Sequence, residues 1–484
     1  MQFVIKFFPE ITIKSRPVRK QLARQLRDNL RALLKPVDPD IRIVRDWDQL
    51  TVITAGNDDA RRQRIIEVLS HTPGIAYFLD VLEYPLGDLD DMYAKTAALW
   101  CERLRDKTFA VRCKRSGNHD FSSLDVERYI GGLLNRDSAA RGVALRDPDA
   151  VVRIDVRDDR LYIVNERFEG IGGFPLGSQD SVVSLISGGF DSTVASYLTM
   201  CRGMRTHFCF FNLGGREHEL GVKEVAYYLW SKYGASSRVK FIAVPFDEVV
   251  AQILKHVDDS QMGVVLKRAM LRAATRVAEA LGANALVTGE AVAQVSSQTL
   301  INLGIIDRAT DMLVLRPLVT MAKGDIIHTA QRIGTADYAA QMPEYCGVIS
   351  VKPTTRAKLP RIEHEETKLD PDVLERALAR AEYVNIDEVA NAELERVDIE
   401  VLNVPVFDAV IVDVRHPSEA ERAPLAAGNV RIEHIPFYEL QSRFAELDRD
   451  KNYLLYCDKG VMSRLHAAHL IEQGYRNVKI YRPA

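Results

Sequence analysis

The residues Ser187-Gly188-Gly189-Phe190-Asp191-Ser192 combine what a bound phosphate needs. Two adjacent glycines let backbone N–H groups approach an anion closely. Ser187, Ser192 and Thr193 add hydroxyl donors, and a helix opening at this point would aim its positive end at the charge. Asp191 repels a bare phosphate, so its presence fits a pyrophosphate bridged to it by Mg²⁺. No G-x-x-x-x-G-K-[ST] segment occurs in the chain, which excludes the P-loop nucleotidases. A second reactive candidate is Cys457, followed by Asp458-Lys459-Gly460-Val461-Met462 and a helix from Ser463. A thiol facing several N–H groups and a helix N-terminus is expected to have a depressed pKa and to stabilise a terminal persulfide anion. On type alone, a cysteine at a strand end is also ordinary core filler.

The elements that must hold these loops follow from periodicity. A strand over 182–187, a helix over 192–201 and a strand over 207–211 surround the glycine loop. A helix over 219–233, a strand over 239–244, a helix over 263–281 and a strand over 285–288 continue the pattern. Near-continuous apolar strands alternating with helices predict a doubly wound parallel sheet covered on both faces. Ligands in such sheets bind beyond the carboxyl ends of the strands, where residues 187–192 lie. A charged stretch over 361–400 has the composition of a helical connector. Residues 404–484 form a small α/β block, with strands over 410–414, 453–457 and 478–481 and a helix over 463–473.

Upstream lie two further blocks. The first, to about residue 75, has a strand over 3–7, a basic helix over 17–34 and alternating Ile41, Ile43 and Val52-Ile53, an α+β unit. The second runs to about 170, with helices over 91–104 and 123–134 and a strand over 108–112. Strands over 151–156 and 160–164 follow, joined as a hairpin at Asp158-Asp159. Arg16, Lys20, Arg24, Arg27 and Arg31 recur on one face of the first helix. They read as a solvated face or as a contact to a phosphate backbone. Arg112, Lys114, Arg115 and His119 are a second set of candidate phosphate contacts.

Composition is that of ordinary globular protein, with 47% hydrophobic and 27% charged residues and a net charge of −3. No apolar run approaches the ~18 residues of a membrane span, and the first residues do not read as a signal peptide, so a cytoplasmic protein is expected. Cys101, Cys113, Cys201, Cys209, Cys346 and Cys457 include no C-x-x-C pair, and no metal-ligand cluster is predicted.

The glycine loop is similar to the pyrophosphate loop of the ATP pyrophosphatases, which split ATP between α and β phosphates and adenylate a substrate oxygen. The segment 457–462, with Asp413-Val414-Arg415 and Glu419, resembles the active loop and opening strand of rhodaneses. Met462 stands where many of them carry arginine. Together the blocks resemble the long, rhodanese-bearing members of the tRNA 4-thiouridine synthetase family, which also serve thiamine thiazole synthesis.

That resemblance implies a ferredoxin-like unit over 1–75, a THUMP RNA-binding domain over 63–167, an ATP pyrophosphatase core over 176–395 and a rhodanese over 404–484. It implies ATP contacts at Leu185, Ile186, Lys267, Gly289 and Gln298 beside the loop. On residue type alone Lys267 is a solvated helix lysine, and Leu185 and Ile186 are core. It implies a redox pairing of Cys346 with Cys457, a tRNA uridine (position 8) as substrate, and a cysteine desulfurase as persulfide donor. A sulfur-carrier protein of thiamine synthesis is implied as a further acceptor, and a homodimer is left open. Two alternatives stand beside this reading: an adenylating enzyme acting on another tRNA position, and an RNA-binding protein with a degenerate ATP site.

Overall fold

The computed structural model describes residues 1–484 except 47–48, 57, 214, 343–351, 395–398, 406–407, 416, 429, 459 and 484. The chain divides into two compact units, Met1–Ser178 with Cys201–Gly203, and Gln179–Met200 with Met204–Ala484.

The first unit is built on one eight-stranded sheet. Its strands are β1 (Gln2–Phe7), β2 (Arg42–Arg45), β3 (Gln49–Ile53), β4 (Ile75–Pro85), β5 (Thr108–Ser116), β6 (Gly142–Val143), β7 (Ala150–Arg157) and β8 (Arg160–Gly172), in the order β2-β3-β1-β4-β8-β7-β5-β6. The ferredoxin-like and THUMP halves therefore share a sheet, because the long β4 pairs with β1 on one side and β8 on the other. β7 and β8 form the expected hairpin, with Arg157 opposite Arg160 and Asp158 at φ +49°. The helix Arg16–Leu34 buries Leu22, Leu26, Leu30 and Leu34 against Phe3 and Ile5, which leaves Arg16, Lys20, Arg24 and Arg31 exposed. The helix Ser123–Asp137 starts at a capping box of Ser122 and Asp125, which satisfies two orphan N–H groups, and packs Val126, Ile130 and Leu134 on Phe109 and Val111.

The second unit holds two sheets. The larger comprises β9 (Ser181–Leu185), β10 (Arg205–Asn212), β11 (Lys240–Pro245), β12 (Ala285–Val287), β13 (Leu313–Leu315) and β14 (Glu382–Asn385), ordered β13-β12-β9-β10-β11-β14. All neighbours are parallel except β14, which pairs antiparallel with β11. The segment expected as a connector thus adds an edge strand, and Ile362, Val373, Ala377, Ile386 and Val389 from it are buried. Most of its charges face water while a minority of apolar residues dock, and Glu365 and Glu366 turn inward, Glu366 accepting from the buried Arg268 at 2.7 Å. The smaller sheet comprises β15 (Val401–Leu402), β16 (Val410–Asp413), β17 (Ile432–His434), β18 (Tyr453–Tyr456) and β19 (Val478–Tyr481), all parallel in the order β15-β19-β18-β16-β17.

Strand order reverses direction between β9 and β12 in the larger sheet, and between β16 and β18 in the smaller. Such a switch point leaves a crevice at the carboxyl ends of the strands. Residues 187–192 follow β9, residues 288–298 follow β12, Arg415 follows β16, and Cys457 follows β18.

Candidate functional site

Beyond β9 the chain turns directly into the helix Phe190–Cys201. Gly188 sits at φ +84°, a conformation side-chain-bearing residues rarely adopt, and an added Cβ would meet the Met342 side chain at 2.9 Å. Ser192 Oγ accepts from the Ser187 N–H at 3.1 Å and donates to the Gly189 carbonyl at 3.2 Å, so one hydroxyl ties the loop across its mouth. Ser187 Oγ lies 3.1 Å from the same oxygen. His218, from the helix Gly215–Leu229, places Nε2 3.1 Å from the Ser187 carbonyl and stands edge-on to Phe210. Ile186 donates its N–H to the Cys209 carbonyl at 2.9 Å, fixing the strand end from the other side.

The repulsion expected of Asp191 is met by a residue the sequence did not suggest. Lys323, first residue of the helix Lys323–Ile333, donates to both Asp191 carboxylate oxygens at 2.9 and 3.0 Å. A cation already stands at the mouth of the loop.

Gly289, after β12, is packed so tightly that a Cβ would come 2.6 Å from the Asp191 carbonyl carbon and 2.7 Å from the Ser192 nitrogen. The two loops of the switch point therefore touch through backbone. Lys267 is no solvated lysine. It donates to Glu290 at 2.8 Å, Arg316 reaches the same carboxylate at 2.9 Å, and Thr288 donates to it at 3.1 Å. Burial pushes the Glu290 carboxyl up, but Lys267 and Arg316 outweigh it and hold it below its ordinary value. Residues 293–298 close on themselves through Ala293 N–H to the Gln298 carbonyl at 3.0 Å, with Ala293 at φ +66°. Gln298 Oε1 is buried with no hydrogen-bond partner among the described residues.

The second site is the thiol loop. Cys457 is 8% exposed, with Sγ accepting from the Ser463 N–H at 3.3 Å and donating to Ser463 Oγ at 3.4 Å. The expected depression of its pKa does not hold. Burial pushes the thiol above its ordinary value, against the N–H groups of Ser463, Gly460 and Met462 that lower it. The cradle for a sulfur anion exists, but neighbouring elements dry it. Arg415 organises the loop. Its guanidinium donates to Asp413 at 2.9 and 2.6 Å and to Asp458 at 2.9 Å, and Tyr456 donates to Asp458 at 3.0 Å. The D-V-R segment is thereby tied to the cysteine loop.

Cys346 lies outside the described residues, as does Lys459. In the first unit Lys114 is exposed, whereas Arg112 is turned to its own backbone, donating to the Val111 and Leu145 carbonyls at 3.1 and 2.8 Å. Arg115 contacts His119 at 3.1 Å, and His119 stacks on Phe121. Among the described residues no group of three or more potential ligands could hold a metal ion, and no helix is long and apolar enough to cross a membrane.

A glycine-cradled loop at one switch point and a cradled thiol at another, on a chain that also carries a THUMP-type sheet, define a class that couples nucleotide chemistry to sulfur handling. Family models agree segment by segment: the ferredoxin-like domain of the thiamine biosynthesis protein ThiI over 2–78, THUMP over 87–165, ThiI itself over 177–370, and a rhodanese-like domain over 400–483. The tRNA sulfurtransferase of Azotobacter vinelandii is 56% identical over 484 residues, covering all of both chains. That of Pseudomonas putida is 55% identical over 483 residues, again covering both. The chain belongs to the tRNA sulfurtransferase family. In fold, it matches a 4-thiouridine synthetase solved in complex with RNA and bound ATP, at TM-score 0.70 and 24% identity over 79% of this chain and 99% of that one. PH1313 from Pyrococcus horikoshii matches at TM-score 0.51 and 17% identity over 69% of this chain and 99% of that one.

Proposed function

We propose that the protein converts a tRNA uridine, at position 8, to 4-thiouridine, using ATP to activate the base and a persulfide on Cys457 as sulfur source. The observation that carries this is the loop 187–192 braced at the switch point by Gly289 and Lys323, in a chain whose full-length relatives are named tRNA sulfurtransferase.

ATP fits the residues present. The Gly188 conformation leaves room for backbone to approach a phosphate, and the unpartnered Gln298 Oε1 suits a base N–H donor. Leu185 and Ile186 border the base, while Ser187, Gly188, Gly189 and Ser192 hold the pyrophosphate. Lys267 is committed to Glu290 and shapes the pocket wall. Mg²⁺ would take one carboxylate from Asp191 and its remaining ligands from phosphate and water, supplying neutralisation of the departing pyrophosphate. Lys323 adds a fixed positive charge at the same place.

Uridine O4 attacks the α-phosphorus, pyrophosphate leaves, and O4 becomes part of an AMP leaving group. The terminal sulfur of the Cys457 persulfide then attacks C4 and displaces AMP, leaving Cys457 disulfide-linked to C4. The Cys346 thiolate attacks Cys457 Sγ, which frees the 4-thiouridine sulfur and forms a Cys346–Cys457 disulfide. A dithiol reductant returns both thiols. Met342 packs on Gly188, which adds a side chain to the wall of the ATP loop. Flipping the uridine from its stack costs a few kcal/mol, offset by tRNA contacts from Arg16, Lys20, Arg24, Lys114 and Arg115. A cysteine desulfurase loads Cys457 in the cytoplasm. The sulfur-carrier protein of thiazole synthesis is a second acceptor, in keeping with the name of the matching family model.

Purified protein given tRNA, ATP, cysteine and a desulfurase should release AMP and yield 4-thiouridine by mass spectrometry of nucleosides. Release of AMP with sulfur appearing at another base would overturn the substrate assignment.

A further inference from the structure

The helix Gly215–Leu229 touches the ATP loop and the helix that follows the thiol loop. His218 braces the Ser187 carbonyl at 3.1 Å. Farther along the same helix, Glu224 Oε1 lies 3.2 Å from His466 Nδ1 on the helix Val461–Glu472, with both side chains buried. His466 stands one turn beyond Ser463, whose N–H and hydroxyl hold Cys457 Sγ. Tyr338, from the helix Ala336–Gln341, stacks on Phe437 at 4.1 Å, and Phe437 in turn faces His466. Around the rim, Arg216 pairs with Glu472 at 2.8 Å and Arg464 donates to Asn391 at 2.6 Å.

This joint between the adenylating core and the thiol-bearing domain is polar at its centre. Glu224 Oε1, both ring nitrogens of His466 and the Tyr338 hydroxyl are buried without a hydrogen bond among the described residues. The Glu224–His466 approach has the distance of a hydrogen bond but not its direction. Burial pushes Glu224 up to about 8 and His466 down to about 3, so neither carries a buried charge near neutrality. Groups of this kind are costly when dry and satisfied when wet, so opening the joint regains hydration that closing forfeits. Cys457, which a donor protein must reach to load sulfur, is buried, with Tyr227 and Tyr338 of the adenylating core close enough to feel its charge.

Resting on the sulfur-transfer reading above, we propose that Glu224, His466 and Tyr338 are positioning residues that seat the thiol domain on the helix bracing the ATP loop, and release it for loading. Sulfur is then delivered in the seated state and received in the lifted one.

The test uses full-length protein with Glu224→Ala, Glu224→Gln and Tyr338→Phe. Glu224→Ala should keep tRNA-dependent pyrophosphate release within about twofold, yet slow single-turnover sulfur delivery from preloaded Cys457 by roughly tenfold or more, the scale of a small misplacement. Glu224→Gln, neutral and of the same shape, should restore most of that rate. Iodoacetamide should modify Cys457 faster in Glu224→Ala, because the void left against His466 costs the seated state more than loss of the dehydrated carboxyl returns. In Tyr338→Phe, which only removes an unpartnered hydroxyl, it should modify Cys457 more slowly than in wild type. Unchanged delivery in Glu224→Ala, or pyrophosphate release and delivery falling in parallel, overturns the positioning role. Should Glu224→Ala not fold, an unchanged or faster modification rate in Tyr338→Phe does the same. Absence of 4-thiouridine from wild type would sink the function reading instead, and leaves the alkylation comparison to judge the joint.

Discussion

Replacing Gly289 by alanine probes how closely the two loops of the switch point must meet. The new Cβ would stand 2.6, 2.7 and 2.8 Å from the Asp191 carbonyl carbon, the Ser192 nitrogen and the Asp191 oxygen, all backbone atoms that no rotamer change can move. Ordinary contact begins at 3.4 Å, so the strand end and the loop must part by about 0.8 Å. Overpacking of this kind costs about 1–3 kcal/mol of stability. The larger effect is on chemistry, because a displacement near 1 Å at positioned groups costs up to ~10²-fold in rate. We expect tRNA-dependent AMP release by Gly289→Ala to fall by about that factor, with tRNA affinity unchanged. Gly304→Ala is the control, since a Cβ there meets nothing within 4 Å. The assay is formation of labelled AMP at saturating tRNA, with a melting curve for each variant. AMP release by Gly289→Ala within about threefold of wild type, at a melting point that shows folding, would refute backbone contact as the device that shapes the site.

Lys323→Ala strips the cation from Asp191 and should lower AMP release by about 10²-fold while tRNA binding persists, read by the same assay and by filter binding. Glu290→Gln leaves Lys267 and Arg316 without their shared carboxylate, and should cost about 3–5 kcal/mol in denaturant unfolding. Because the Glu290 pKa is held below its ordinary 4.5, the stability it contributes is complete above that pH and is lost as pH falls through the folded value. Acid unfolding of Glu290→Gln should lack this limb. Lys20→Ala and Arg24→Ala should each weaken tRNA binding and reduce the log–log salt slope by about 0.7–0.9, with AMP release recovered at saturating tRNA.

What could be read from sequence was local. A strand, two glycines and a helix lie within a dozen residues around Ser187, and a strand, loop and helix around Cys457, so both sites were legible with their geometry. Lys323 stands 132 positions from Asp191 and has no local mark, so only the fold brings it there. Lys267 looked solvated because its partner Glu290 belongs to another loop. The thiol illustrates the same limit. Its N–H donors follow from the loop, whereas the burial that raises its pKa has no local mark, and Tyr227 and Tyr338, distant in sequence, lie within reach of its charge. β14 was hidden because it is only four residues, Glu382–Asn385, inside a charged stretch and pairs on one side alone, and β4 because a strand wedged between two others shows no clean alternation.

The central claim is that Cys457 carries the sulfur and the loop 187–192 carries the activation, as separable steps. The most direct measurement is nucleoside mass spectrometry with pyrophosphate and AMP quantitation on Cys457→Ala and wild type, each with tRNA, ATP, cysteine and desulfurase. Wild type should give equal amounts of 4-thiouridine and AMP, whereas Cys457→Ala should release pyrophosphate and hold adenylated tRNA without forming 4-thiouridine. Formation of 4-thiouridine by Cys457→Ala would contradict the central claim.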